Sequence, residues 1–323
     1  MGRLTSVEVC AGGGGLALGL ESAGFDPVLL LDDRDVACET LRLNRPTWNV
    51  LEMDLVDFDP VDHPISYDVD LLAAGLPRVK SSATVNRAET GKESNLLKAT
   101  IQLVSAVQSR AVLIENVPEL VEKPRYAEVR EYIREELEHL GYRLHWFVLD
   151  AADFGVPQRR KQGILVALKE PFAETFAPPI PTVDRHVTVG EALRESMGAR
   201  GWTDLEQWVA AASTVAPTLV GGSYGRGGGD LGPRGSKHAW VRMGINGNAL
   251  GDEVPGPDGK QESDKSGSPH KKLTVQQAAL LQAFPPEWSF AGAKTNRYRQ
   301  IGQASPPPVA EALGRAVAAA LAS

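Results

Sequence analysis

Four consecutive glycines, Gly12 to Gly15, follow a short apolar run, Leu4 to Val9, and open a stretch with helical spacing, Leu16 to Ala23. Glycines where a strand turns into a helix let a ligand approach the main chain closely and leave amide N–H groups free at the helix start. That arrangement suits a nucleotide-like cofactor. An acid about 20 residues further on, at the end of a second strand, would offer acceptors to ribose hydroxyls; Asp32 stands there in LLLDDRD, with Asp33 adjacent. A third acid, Asp54 in EMDLVD, falls where a third strand should end and could meet an adenine amino group. Taken singly, each acid reads as a surface residue or a helix cap. In register with the glycine turn, the three describe a cofactor cradle.

The elements that must position these residues follow from the alternation of short apolar runs with amphipathic stretches. Leu4 to Val9, Val28 to Leu31, Asp70 to Ala74 and Ala111 to Ile114 are strand-sized, and Leu16 to Ala23, Asp35 to Leu43, Leu96 to Ser109 and Tyr126 to Leu140 have helical spacing. Buried strands separated by helices predict an α/β fold with a doubly wound parallel sheet. Arg143 to Ala151 and Lys161 to Leu168 predict two more strands. From Pro171 to about Lys265 the composition shifts to glycine and proline, as in GGSYGRGGGD and GDEVPGPDGK, which predicts a small irregular domain or a long functional insertion. Order should return at Leu273 to Phe284, a helix with Thr274 as N-cap, and in a last helix after Pro306-Pro307-Pro308. The expected division is residues 1–170 with 273–323 as the cofactor-binding domain and 171–272 as a second domain.

The 323 residues, 42% hydrophobic and 23% charged, can bury a sizeable core. No stretch is apolar for long enough to span a bilayer, and no signal-peptide core follows the N-terminus, so a cytoplasmic protein is expected. The net charge of −7 argues against non-specific coating of nucleic acid but leaves local basic clusters. From Arg78 to Lys98 there are five basic residues against two acidic, and from Arg226 to Arg242 four against Asp230 alone. Two cysteines, Cys10 and Cys38, are too few for a disulfide scaffold or a cysteine-built metal site, and the six histidines are scattered, so no metal is implied.

Further motifs follow in order: IENV (Ile114 to Val117), DFGVPQRR (Asp153 to Arg160), LTVQQAALLQAFP (Leu273 to Pro285) and IGQASPPPVAEALG (Ile301 to Gly314). Together with CAGGGG they resemble the DNA (cytosine-5)-methyltransferase family from about Ser6 to the last helix. The resemblance implies a class I S-adenosylmethionine-dependent methyltransferase fold in which residues 171–272 are the target-recognition domain. It implies S-adenosylmethionine as cofactor, with Cys10, Ala11, Gly12, Gly14 and Gly15 around the methionine part, Asp32 and Asp33 at the ribose, and Asp54 and Leu55 at the adenine. Gly75, Gln303 and Ala304 join this set. Glu115 would hold a target base turned out of duplex DNA. Gln158 and Arg160 would support the catalytic loop and the DNA. Lys80, Ser81, Ser82 and Arg87 belong to a polar lid, Arg78 to Asn95, that would contact a strand. Arg226, Arg234, Lys237 and Arg242 mark a ribbon for phosphates or bases. Relatives in restriction–modification systems imply a cognate nuclease as partner.

The sequence departs from the family at the nucleophile. Where the family reads Pro-Cys after the fourth strand, this chain reads Pro77-Arg78. Attack of a thiolate at C6 makes cytosine C5 nucleophilic, and a guanidinium, always protonated, cannot make that attack. Gln162 replaces the arginine that reads the cytosine O2, and Gln303 a customary asparagine. The expected reaction is therefore methylation of an exocyclic amine, adenine N6 ahead of cytosine N4, with Glu115 and the carbonyls of Leu76 or Pro77 as acceptors and Arg78 beside them. The Asp/Asn-Pro-Pro-aromatic sequence usual for amine methylation is absent. The alternatives are a catalytically silent homologue that binds DNA, S-adenosylmethionine or both, and an enzyme acting on RNA or a small molecule.

Overall fold

The computed structural model describes residues 2–77, 87–221 and 229–323. They form two compact units, residues 1–149, 161–180 and 309–323 in the first, and 150–160 with 181–308 in the second. The first is built on seven strands: β1 (Leu4–Val9), β2 (Phe25–Asp32), β3 (Val50–Glu52), β4 (Leu71–Gly75), β5 (Ala111–Asn116), β6 (Tyr142–Asp150) and β7 (Lys161–Lys169). Their order across the sheet is β3-β2-β1-β4-β5-β7-β6. The first five run parallel and β7 pairs antiparallel with β5. Helices Gly15–Ser22, Asp35–Asn44, Arg87–Val107 and Ala127–His139 follow β1, β2, β4 and β5, as the spacing of apolar residues predicts.

Burial on both faces explains why the central strands read as apolar runs. Val7, Val9, Leu72, Ala74, Val112 and Ile114 point to one face, where they join Leu97, Ile101 and Val104 of the helix Arg87–Val107 and Ile133 and Leu137 of the helix Ala127–His139. On the helix Pro307–Leu321, a Cβ on Gly314 would meet Ala23 Cβ at 2.6 Å and Leu20 Cδ2 at 3.0 Å, so Gly314 allows a close approach to the helix after β1.

Several expectations need correction. Helix Arg87–Val107 starts nine residues before Leu96, so residues 87–95 are helical rather than lid-like; Ala88, Glu89, Lys92 and Glu93 are good helix formers. Residues 78–86 lie outside the described set. The first unit continues past Glu170 to Ile180, where Phe172 lies under the Arg110 guanidinium and Phe176 packs on His145 and Phe147 of β6.

The glycine- and proline-rich second unit is more regular than its composition suggests. It contains helices Val189–Gly198, Leu205–Ala211, Arg234–Arg242, Val275–Leu281 and Lys294–Gln303. Thr188 and Glu191 form a capping box, a T-x-x-E signal present in the sequence. Thr274 caps its helix as expected and forms a second box with Gln277. The basic segment expected as a ribbon is helical from Arg234 to Arg242, while Arg226 lies outside the described residues.

Gly163 on β7 pairs with Asn116 at the end of β5, and a Cβ there would stand 2.3 Å from the Val117 carbonyl oxygen. Gly163→Ala should cost roughly 1–3 kcal/mol by forcing that backbone apart. Urea denaturation of the variant beside the parent chain checks this.

Candidate cofactor and base site

The carboxyl ends of β1, β2, β3 and β4 bring together those residues of the first unit that are expected around a cofactor. Beyond β1 the chain reverses through positive φ angles at Cys10 (54°), Gly12 (57°) and Gly14 (84°), and the helix begins at Gly15. The Ala11 N–H donates to the Leu31 carbonyl at 3.0 Å, tying the turn to β2. Gly75 closes β4, and a Cβ on it would lie 3.2 Å from the Cys10 carbonyl oxygen. Glycine at position 75 thus keeps the end of β4 close to the turn.

Asp32 is almost fully buried and organises this corner. Its Oδ2 accepts from the Gly12 N–H at 2.8 Å and from Arg34 Nη2 at 3.3 Å; its Oδ1 accepts from the Arg34 N–H and Nε, both at 3.0 Å. A carboxylate has about four acceptor positions, and these contacts use them. Asp33 is exposed, 4.0 Å from Arg34 Nε. The Met53 N–H donates to the Asp32 carbonyl at 3.0 Å, which brings Asp54 alongside. Asp54 lies two residues beyond β3 and caps a short turn, accepting from the Val56 N–H at 3.1 Å, with Leu55 buried behind it.

The base-side residues meet one strand over. Glu115, half-buried at the end of β5, pairs in register with Gly75 of β4. Leu76 is buried and Pro77 exposed. Asn116, which the sequence reading passed over, is buried and donates from Nδ2 to the Pro77 carbonyl at 3.4 Å. One of the two carbonyls expected as base acceptors therefore already holds the loop to β5. Arg78, Lys80, Ser81 and Ser82 lie outside the described residues.

Both thiols are poor nucleophiles here. Burial, followed by the charge of Asp32, pushes Cys10 up to about 12 and Cys38 up to about 11. At neutral pH roughly one thiol in 10⁴ or fewer is ionised.

Gln158 and Arg160, expected to support DNA, are interior struts of the second unit. Gln158 is fully buried, donates to the Leu281 carbonyl at 3.2 Å and to the Gln282 side chain, and accepts from the Leu219 N–H at 2.7 Å. Arg160 donates to the carbonyls of Leu219 and Gly302 at 3.0 Å and of Gln303 at 3.4 Å. Gln282 extends the network to the carbonyls of Ile301 and Ala304. Gln303 and Ala304 therefore belong to the second unit, Gln303 exposed at a helix end and Ala304 buried. Lys237 is paired with Asp230 at 2.8 Å.

Glu8 is another residue that the sequence reading missed. It lies on β1 between Leu30 and Ala73, with no hydrogen-bond partner for either carboxylate oxygen among the described residues. Burial, then the charge of Asp32, holds it well above the usual carboxylate range.

A glycine turn, an acid after β2 and another after β3, at one edge of a 3-2-1-4-5-7-6 sheet, define the S-adenosylmethionine-dependent methyltransferase fold. The sequence narrows this further: the profile described as C-5 cytosine-specific DNA methylase matches residues 4–319, and the chain belongs to that family. It is 42% identical to the type II methyltransferase M.NaeI of Lentzea aerocolonigenes, over 99% of this chain and 76% of that protein. It is 39% identical to M.NgoMIV of Neisseria gonorrhoeae, over 99% and 98%. Among solved structures, the S. pombe Dnmt2 methyltransferase matches with a TM-score of 0.64 at 16% identity, over 99% of each chain. The Entamoeba histolytica methyltransferase EhMeth matches with 0.66 at 12%, also over 99% of each. The chain is a methyltransferase, and its methyl donor is S-adenosylmethionine.

Two outcomes follow. Unfolding exposes Glu8 to water, where it ionises from about pH 4 upward, whereas the folded chain keeps its proton to higher pH. Stability from this group is complete at acid pH and falls as pH rises. Glu8→Gln should remove that slope, melting a few degrees above the parent at pH 8 and level with it near pH 4, as calorimetry across pH would show. Iodoacetamide at neutral pH should leave both cysteines of the native chain unmodified, and alkylate both once urea unfolds it, as read by intact mass.

Proposed function

We propose that this chain methylates an exocyclic amine of a base turned out of duplex DNA, adenine N6 in preference to cytosine N4, without a covalent enzyme–base intermediate. The observation that carries this reading is the pairing of Glu115 with Gly75 at the carboxyl edge of β5 and β4, in a chain whose described thiols stay protonated. Bound S-adenosylmethionine supplies an electrophilic methyl group to whatever nitrogen is aimed at it.

In this reading Cys10, Ala11, Gly12, Gly14, Gly15 and Gly75 surround the methionine part, and Asp54 and Leu55 meet the adenine. Asp32, with Asp33 beside it, takes the ribose hydroxyls, and the Arg34 guanidinium yields acceptor positions on Asp32 to admit them. Glu115 accepts a hydrogen bond from the target amine, fixes the direction of its lone pair and takes the proton that the nitrogen loses as its new bond to carbon forms. Asn116 holds the Pro77 carbonyl and so sets the wall against which the base rests. Arg78 pairs a phosphate or fills the space the flipped base leaves. A nuclease cutting the same DNA sequence is the expected partner.

Incubating the purified chain with duplex DNA and methyl-labelled S-adenosylmethionine, then digesting to nucleosides, tests the reaction. N6-methyladenine is expected. A 5-methylcytosine product, or a protein adduct on a fluorinated cytosine, would sink the amine route, and DNA binding with no incorporation would favour a silent binder. Glu115→Ala should lower incorporation about 100-fold or more while S-adenosylmethionine binding, followed by calorimetry, stays as in the parent.

A further inference from the structure

From Pro46 to Pro77 the chain carries seven carboxylates, Glu52, Asp54, Asp57, Asp59, Asp62, Asp68 and Asp70, and neither lysine nor arginine. Seven is also the net negative charge of the whole protein, so the rest of the sequence is balanced. Between β3 and β4 this segment folds into three single turns of 3₁₀ helix, Leu55–Asp57, Pro60–Asp62 and Pro64–Ser66. Local contacts fix them. Asp54 caps the first turn and Asp59 the second, the latter accepting from the Val61 N–H at 2.9 Å. Pro60 and Pro64 open the second and third, where a missing N–H costs nothing. The Phe58 ring stacks on the His63 ring with centroids 5.0 Å apart, and Ser66 Oγ donates to the His63 carbonyl at 2.8 Å.

This scaffold turns apolar side chains outward. Val56 is 60% exposed, Val61 71% and Ile65 53%, so three of the six large hydrophobic side chains exposed among the described residues fall within ten positions. A single exposed aliphatic is ordinary protein surface, whereas a cluster of them marks a contact. Exposed carboxylates, Asp57, Asp59, Asp62 and Asp68, are interleaved with these side chains along the chain. Asp70 is held by Arg110 at 2.7 Å, and Glu52 lies 4.0 Å from Arg42.

Charge selects the occupant. The segment repels the phosphates of nucleic acid and of anionic lipid. A second copy related by a two-fold axis would set the same carboxylates against each other. An amphipathic helix whose apolar stripe is flanked by lysine or arginine answers both features, aliphatic on aliphatic and cation on carboxylate. Because caps and stacking already fix the turns, little ordering cost falls on this side of the contact.

We propose that the three turns between β3 and β4 are a docking face for a cationic amphipathic helix of another protein. Val56, Val61 and Ile65 lie under its apolar stripe, and Asp57, Asp59, Asp62 and Asp68 meet its cations. The proposal is independent of which base atom is methylated.

The test follows the fluorescence anisotropy of a labelled peptide of lysine and leucine, about five helical turns long with its leucines on one face, as the full chain is added. A second peptide has serine in place of every leucine. The leucine peptide should bind, and the serine peptide should bind about 10-fold more weakly or worse. Val61→Ser combined with Ile65→Ser should weaken the leucine peptide about 10-fold. Asp57→Asn combined with Asp62→Asn should weaken both peptides and flatten their salt dependence. The helix Ala127–His139, with Glu128, Glu131, Glu135, Glu136 and Glu138, is the control for charge alone. Glu128→Gln combined with Glu135→Gln should leave binding of the leucine peptide as in the parent. All the substituted side chains are exposed, so melting temperatures should match the parent and confirm intact folding. No binding of the leucine peptide, equal binding of the two peptides, unchanged affinity in the valine–isoleucine variant or an equal loss in the control variant overturns the proposal. A parent dimer that Val61→Ser with Ile65→Ser separates in sedimentation also overturns it, since a second copy then occupies the face.

Discussion

The carboxylate of Asp32 sets the geometry of the cofactor corner. Buried at the end of β2, it holds the Gly12 N–H and three donors of Arg34 at once. A buried charge is tolerable only when it is paired and hydrogen-bonded, so this carboxylate depends on the turn keeping its shape. The positive φ angles at Cys10, Gly12 and Gly14, the approach of Gly75 to the Cys10 carbonyl and the hydrogen bond from Met53 all converge on the same corner. Any further donor to this carboxylate must therefore exchange with one of these partners rather than fill an empty acceptor.

The glycine turn, the acids at positions 32 and 54 and the glutamate at the end of β5 stand at one edge of the sheet, and the sequence continues from Pro77 with Arg78 rather than a cysteine. Cys10 and Cys38 do not compensate, because the environment that shapes the cradle also keeps their protons on. The acids gathered at this corner also disfavour a thiolate there.

Local signals in the sequence were read well and tertiary ones poorly. The strand–glycine–helix unit, the acids at positions 32 and 54 and the Thr274 cap depend on residues close together in the chain, and the structure places each where spacing put it. The Thr188 cap was equally local, but glycine-rich surroundings hid it. Glu8 carries no local signal of its own, since its enclosure follows from β1 being central in the sheet and covered on both sides. Gln158 and Arg160 are tied to the catalytic loop and the DNA by the family resemblance alone, which says nothing of what holds them in this chain. Their partners, at positions 219, 281, 282 and 302–303, lie far along the chain, and no spacing rule connects them. Arg34 escaped for a similar reason, since its role appears only once Gly12 and Asp32 are seen sharing one carboxylate.

The struts of the second unit have a consequence for biosynthesis. Arg160 emerges from the ribosome before β7 is made, yet two of its acceptors, the carbonyls of Gly302 and Gln303, arrive some 140 residues later. The first unit waits likewise for its final helix, Pro307–Leu321. Neither unit can reach its finished interior before these residues are made, so the nascent chain carries an unburied guanidinium and an incomplete sheet cover until then.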